Sequence, residues 1–422
     1  MIRLTKIKRR LYYVIARYFR FFAGLSLKRW QPRVIAVTGS VGKTTLLNLL
    51  EVQLGKEAHY SHGANSAYGI ALDILGLEGV TGSKLRWLYL FLVAPLRGLT
   101  FTHTEPLYIV EIDGDRPYET EFLSSWLRPE VTLWVSVGRS HAVNFEGAVR
   151  QGQFASVDEA ILAEFSQLPR HTTRQVIYDG DNAQIAATMK SISGVEKVAV
   201  TGAALQSYHV WPDKTEFVVD GVTYTFAEPL PRETYIQLAI MAALAHYLDM
   251  PVASDMSTYV QPSGRSNYFA GKKGVRLIDS TYNAHMMSME SIIGMYKEMQ
   301  AKHKWIVVGD IIEQGQIEAD EHTRLGKILR DAEFERVVLV GRRTQSYTYP
   351  QLNPEQSVTF LHPRDAAKYL ASELTGSETV LFKGSQYLEG VVEHLLLDST
   401  DAGKLPRQDP AARQRRAKWG LA

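Results

Sequence analysis

Eight consecutive residues, Thr38-Gly39-Ser40-Val41-Gly42-Lys43-Thr44-Thr45, constrain this chain more than any other feature. They follow a β-branched run, Val34 to Val37, and open a helical stretch from Lys43 to about Leu54. The implied order is buried strand, phosphate loop, helix. Glycines let backbone N–H groups approach phosphate oxygens, and the helix N-terminus adds its positive dipole. Lys43 supplies a point charge, and the Thr44 hydroxyl suits Mg²⁺. A nucleoside triphosphate is the natural ligand. The usual phosphate loop carries a glycine five residues before Gly42, where this chain has Val37, and the glycine at hand is Gly39. This shorter form argues against an ordinary kinase or GTPase.

The chain continues as short apolar runs divided by helices. Strands are predicted at Leu107 to Ile112, Val131 to Val137 and Gln175 to Tyr178, with a helix around Val157 to Phe165. That alternation implies an α/β P-loop ATPase domain with a mostly parallel sheet, over residues 33–262. Within it, Thr215 to Phe226 reads as a β-hairpin turning at Asp220-Gly221, and a helix follows from about Arg232 to Leu248. Beyond the linker Gln261-Pro262-Ser263-Gly264, strands restart near Val275 to Asp279, Trp305 to Gly309, Arg336 to Val340, Val358 to Leu361 and Thr379 to Phe382. They predict a C-terminal Rossmann-like α/β domain over residues 263–398. Residues 399–422 are polar and read as a flexible tail, and residues 1–32 as a basic, aromatic N-terminal arm.

With 422 residues, 45% of them hydrophobic, the chain can bury the cores of two or three domains. It has no cysteine, which excludes disulfides, thiolate metal sites and cysteine nucleophiles and fits a reducing cytoplasm. The first fifty residues contain no Asp or Glu, and aromatic and aliphatic residues from Leu11 to Phe22 are set among arginines. This pattern suits a helix packed on its own domain, with a helix lying on an anionic bilayer as the other reading. The longest apolar run, Trp87 to Leu96, is about half of the roughly 20 residues that a membrane-spanning helix needs, so no span is predicted.

The Thr-Gly-x-x-Gly-Lys-Thr-Thr form of the loop resembles that of the Mur ligases, and further stretches share the resemblance in order. Asn65-Ser66-Ala67-Tyr68-Gly69 is similar to the family's Asn-Asn-Glu-Ile-Gly segment, with Ala67 at the Glu position. Glu111 closes a strand, and His141 lies in a stretch, Val137 to Gly147, similar to the family's His-Leu-Glu-Gly-Phe. Ser263-Gly264-Arg265 resembles Pro-Gly-Arg, and Asp279 to His285 resembles Asp-Asp-Ser-Tyr-Asn-Ala-Asn. Gly309-Asp310-Ile311-Ile312-Glu313, His322 and Lys383-Gly384-Ser385 complete the series. The similarity is greatest to the family's D-alanyl-D-alanine-adding branch.

The resemblance implies an ATP- and Mg²⁺-dependent amide ligase working through an acyl phosphate. It implies that Thr44 and Glu111 hold one metal and His141 a second. Arg265 is expected to reach phosphate and Asp279 the ribose. Asn65, Asn283, His285, Glu313, His322, Lys383 and Ser385 lie in segments that face substrate. Two departures stand out. Many relatives carry a carbamoylated lysine where this chain has Ile161, leaving Asp158 or Glu159 as alternatives, and Glu233-Thr234 replace an adenine-side His-Asn pair. Only about 35 residues precede the loop, where stem-peptide ligases place a UDP-sugar-binding domain, so a lipid-linked acceptor is also open. The expected partners are a carboxylate acceptor and an amine, with no nucleic acid, in a cytoplasmic monomer, with peripheral membrane contact through residues 1–30. Two other readings remain at this stage: a catalytically degenerate nucleotide-binding scaffold, and a P-loop switch ATPase.

Overall fold

The computed structural model describes residues 2–79, 84–139, 142–312, 314–384 and 387–421. They form two units. The first comprises Met1–Gly138, Asn144–Gly202 and Ile236–Val252, and the second Arg139–Val143, Ala203–Tyr235 and Ala253–Ala422.

The first unit begins with α1 (Ile2–Trp30), β1 (Arg33–Thr38), α2 (Lys43–Leu54), β2 (Ala58–Tyr60), α3 (Ala67–Ile74), α4 (Lys84–Thr100) and β3 (Leu107–Ile112). It continues with α5 (Glu119–Leu127), β4 (Val131–Trp134), α6 (Glu146–Arg150), α7 (Val157–Phe165), α8 (Gln167–Arg170), β5 (Gln175–Asp179), α9 (Ala183–Ser191) and β6 (Glu196–Val200). The six strands pair in the order β2-β3-β1-β4-β5-β6, all parallel. β1 is buried from its second residue and β3 throughout, which is why both read as continuous apolar runs rather than alternating ones. The chain leaves β1 toward β3 on one side and returns on the other with β4. Strand order therefore reverses at β1, and the crevice at its carboxyl end is where such sheets bind ligands.

The expected N-terminal arm is a helix integrated into this unit. Ala16, Phe19, Ala23 and Ser26 of α1 are fully buried, with α1 packed along α3 and α4. Pro95 inside α4 removes the amide that would serve the Phe91 carbonyl, and the Tyr18 hydroxyl donates to that carbonyl instead at 2.6 Å. A Cβ on Gly98 would lie 2.8 Å from that of Phe22, so glycine permits this close helix approach.

In the second unit, β7 (Leu205–Trp211), β8 (Lys214–Val219) and β9 (Val222–Phe226) form an antiparallel sheet. α10 (Thr234–Tyr247) then returns the chain to the first unit. The remaining elements are β10 (Asn267–Ala270), β11 (Arg276–Ser280), α11 (Met286–Glu298), β12 (His303–Gly309), α12 (Glu318–Asp331), β13 (Arg336–Val340), β14 (Ser357–Phe360), α13 (Pro363–Glu373), β15 (Glu378–Lys383), α14 (Leu388–Leu395) and α15 (Pro410–Ala417). Their sheet runs β10-β11-β15-β12-β13-β14, parallel except for β10.

Two expected boundaries change. The hairpin region, read as part of the ATPase domain, joins the second unit because its bonds lead there. Val210 accepts from the Gln300 amide at 2.9 Å, and the Glu228 carboxylate accepts from the Tyr268 amide at 2.7 Å. The polar tail is not a flexible one. Its basic residues pair with α14 instead of solvating the segment: Arg416, almost wholly buried, meets Glu393 at 2.8 Å, and Arg407 meets Glu389 at 3.5 Å. Leu405 completes the apolar core of the second sheet.

Candidate functional site

Between β1 and α2 the phosphate loop turns on two glycines with left-handed φ, 145° at Gly39 and 84° at Gly42. A Cβ on Gly39 would fall 2.7 Å from Val135 and 2.9 Å from the Ser136 amide, so backbone proximity as well as φ demands glycine there. Residues after β4 brace the loop. The Ser136 hydroxyl accepts from the Val41 amide at 2.9 Å and donates to the Val41 carbonyl at 2.8 Å, while Ser40 and Gly138 exchange two similar bonds. Thr38 anchors the loop's start by donating to the Ile112 carbonyl.

Lys43 reaches back over this turn, donating to the Gly39 carbonyl at 2.6 Å and pairing with Asp113 at 2.9 Å. Burial alone would lower its pKa. Asp113, Glu111 and Asp115 outweigh burial and hold it above the ordinary lysine value, so the ammonium stays charged. Glu111 is buried at the end of β3, and the Thr44 hydroxyl lies 3.4 Å from its carboxylate. Asn65 offers its carbonyl to the Asp113 amide. The loop, Thr44, Glu111 and Asn65 thus converge on one edge of the sheet. Asp113 and Asp115 belong to the same group, and their signal was the spacing Glu-x-Asp-x-Asp at the end of β3.

A hydroxyl beside a carboxylate is a hard-oxygen pair that fits Mg²⁺, which keeps part of its shell for phosphate oxygens and water. Among the described residues, no cluster of three or more His, Asp or Glu forms a cage of its own. His141 lies outside the described residues. Ile161 is buried in an apolar cluster with Trp134, Phe145 and Phe165, where a carbamate would be unsolvated. Glu159 is committed to its own helix start, accepting from the Ala155 amide at 2.7 Å.

The second unit gathers a separate polar group at the carboxyl ends of β11 and β15. Lys383 is almost wholly buried and donates to the Asn283 carbonyl at 2.7 Å. Burial, and then the charge of Arg265, bring its pKa down to about 7 against the opposing pull of Asp279. Asp279 is fully buried and accepts from the Thr281 amide at 3.0 Å, while its other oxygen has no hydrogen-bond partner. Burial raises its pKa to about 6. Arg265 stacks on Tyr282 at 4.9 Å.

Two of the residues expected to face substrate have local structural tasks. His285 caps α11, its Nδ1 accepting from the Ser288 amide at 3.3 Å. Buried His322 accepts from the Ile311 amide at 3.1 Å and bonds the Glu318 carbonyl through Nδ1, which fixes its neutral tautomer and holds the turn after β12. Glu313 and Ser385 lie outside the described residues. Asp310, quoted in the sequence without a role, accepts from the amides of Arg343 and Thr344 at 3.1 and 2.9 Å.

A P-loop unit of parallel strands followed by a Rossmann-like unit is the architecture of the Mur ligases, and residues 264–386 match the family described as Mur ligase, glutamate ligase domain. That match lies within the second unit. Over most of its length the chain is similar to UDP-N-acetylmuramoyl-tripeptide–D-alanyl-D-alanine ligases. The Bacillus subtilis enzyme is 23% identical over 385 residues, covering 88% of this chain and 77% of that protein. The fold matches MurF from Acinetobacter baumannii with a TM-score of 0.71 at 20% identity, covering 89% of this chain and 79% of the other. It also matches MurF ligase from Thermotoga maritima, solved with ADP, at 0.70 and 19% identity, over 92% and 83% of the two chains.

Proposed function

We propose that the chain is an ATP-dependent, ADP-forming carboxylate-amine ligase. One observation carries this reading: a charged, buried Lys43 beside Thr44 and Glu111 in a P-loop unit, on a chain whose residues 264–386 match the Mur ligase, glutamate ligase domain. An acceptor carboxylate oxygen attacks the γ-phosphorus of ATP, the bond to the bridging oxygen breaks, and ADP leaves with an acyl phosphate remaining. The amine then attacks the acyl carbon, loses a proton, and phosphate departs to give the amide.

Lys43 neutralises developing charge on the transferred phosphoryl group, and the loop amides hold the phosphates from below. Mg²⁺, held by Thr44 and Glu111 with His141 proposed for a second ion, would supply further charge neutralisation. Arg265 and Lys383 suit phosphate or carboxylate, and Asp279 suits a ribose hydroxyl. The proposed acceptor is a cell-wall-type precursor. The amine is an amino acid or dipeptide, with D-alanyl-D-alanine first in line because the relatives named above use it. A cytoplasmic monomer with peripheral membrane contact through residues 1–30 completes the reading, supported by the acid-free α1.

The test is phosphate release from ATP and Mg²⁺ across UDP-linked and lipid-linked carboxylate acceptors, each with and without D-alanyl-D-alanine or single amino acids. Release that requires one acceptor and one amine together, and is lost in Lys43→Ala, is the expected outcome. Release indifferent to the panel would indicate a switch ATPase. Tight nucleotide binding without release would indicate a scaffold, the reading that Ile161 in its apolar surroundings favours.

A further inference from the structure

Helix α4 presents a row of large apolar residues to solvent. Leu85, Leu88, Tyr89, Leu92, Leu96 and Leu99 are between 46% and 79% exposed, at spacings of three and four that place them on one helical face. The other face is spent on the fold: Leu90 and Ala94 are fully buried, and Trp87 and Phe91 pack on Phe19. A continuous exposed leucine face of this kind marks an interaction surface.

α1 lies beside it. Contacts advance in step from Tyr18 with Phe91 to Arg29 with Gly98 and Phe101, so the two helices run parallel and their outward faces adjoin. α1 turns out Val14 and Phe21, together with Arg17 and Lys28. On its far flank, between α1 and α5, lies an open groove of about 1280 Å³ lined by Arg17, Arg20, Lys28, Phe21 and Trp126 among others, with Glu121 its single acid. The two helices carry nine and three Lys or Arg residues, and neither contains an Asp or Glu. No helix among the described residues is long and apolar enough to cross a membrane.

We infer that this face seats on an anionic lipid bilayer, with α4 lying in the interface, its leucines among the acyl chains, and the cations of α1 on headgroup phosphates. Charge selects this occupant. An acid-free field spread over two long adjacent helices complements a continuous sheet of anions, and the leucine row supplies the apolar insertion that a purely electrostatic contact lacks. The inference deepens the peripheral contact proposed above. It does not depend on the ligase chemistry, so vesicle binding and phosphate release fail separately.

The experiment is flotation of the full-length protein with vesicles of equimolar phosphatidylcholine and phosphatidylglycerol, and with phosphatidylcholine alone. The protein should float with the anionic vesicles and far less with the neutral ones. The double variant Leu88→Glu, Leu92→Glu should lower binding at least about tenfold. Arg17→Glu with Lys28→Glu should also weaken it and flatten its salt dependence. Both variants should melt as the wild type does and keep its ATPase or ligase activity, since all four positions are exposed. The inference is overturned if the wild type floats with neither vesicle, or if the leucine variant floats as well as the wild type. Sedimentation velocity gives the remaining outcome: self-association that the leucine variant abolishes, without vesicle binding, would assign the face to a second copy of the chain.

Discussion

At Gly39 the backbone of the loop touches the end of β4 so closely that a single methyl group has nowhere to go. Gly39→Ala should destabilise the protein by about 1–3 kcal/mol, the usual cost of overpacking, and abolish ATP binding in calorimetry because the amides would be re-aimed. Lys383 offers a different test. With its pKa near 7, the free protein holds this proton only about half the time at neutral pH, and an anion bound beside it favours the charged form. Binding of such a ligand should therefore take up protons, seen as a dependence of the binding enthalpy on buffer ionisation, and Lys383→Met should remove that uptake. Residue by residue, the phosphate loop and Glu111 were readable because strand, glycines and lysine occur in one short stretch. The local task of His322 was not readable: its bonds to Ile311 and Glu318 depend on how the turn after β12 folds, and no spacing in the sequence encodes that.

Among the helices, α5 starts without a capping side chain of its own, and Glu164 from α7 does the work. Its carboxylate accepts from the Tyr118 and Thr120 amides at 2.7 and 2.6 Å. Burial outweighs those bonds and lifts its pKa from 4.5 to about 7. Across that window the folded chain keeps a proton that the unfolded chain has released, so stability falls as pH rises, with a limiting slope of about 1.4 kcal/mol per pH unit. Stability measured by urea unfolding should fall more steeply with pH in the wild type than in Glu164→Gln, by up to about this slope. Strands such as β1, β3, β12 and β13 were legible because burial on both faces leaves apolar runs bounded by turns. The C-terminal helix was not, because Arg407 and Arg416 look like solvated charges until their carboxylate partners on α14 are seen.

For the whole molecule, a nucleotide that binds only the folded state adds stability by mass action. MgATP at a hundred times its Kd should add about 2.7 kcal/mol, read as a rise in melting temperature that Lys43→Ala loses. The path of the chain bears on the same scale. After a short passage at Arg139–Val143, the polypeptide enters the second unit again at Ala203, leaves it after Tyr235 and comes back at Ala253. No single point of fission in the gene therefore yields two self-sufficient products. A fragment starting at Gly264 would be born without β7–β9, and the complementary piece would carry those strands with nothing to pair with at Gln300 and Tyr268. Recombination that exchanges such halves between relatives must carry the 203–235 insert along with the C-terminal part. That excursion therefore makes the two units one heritable block.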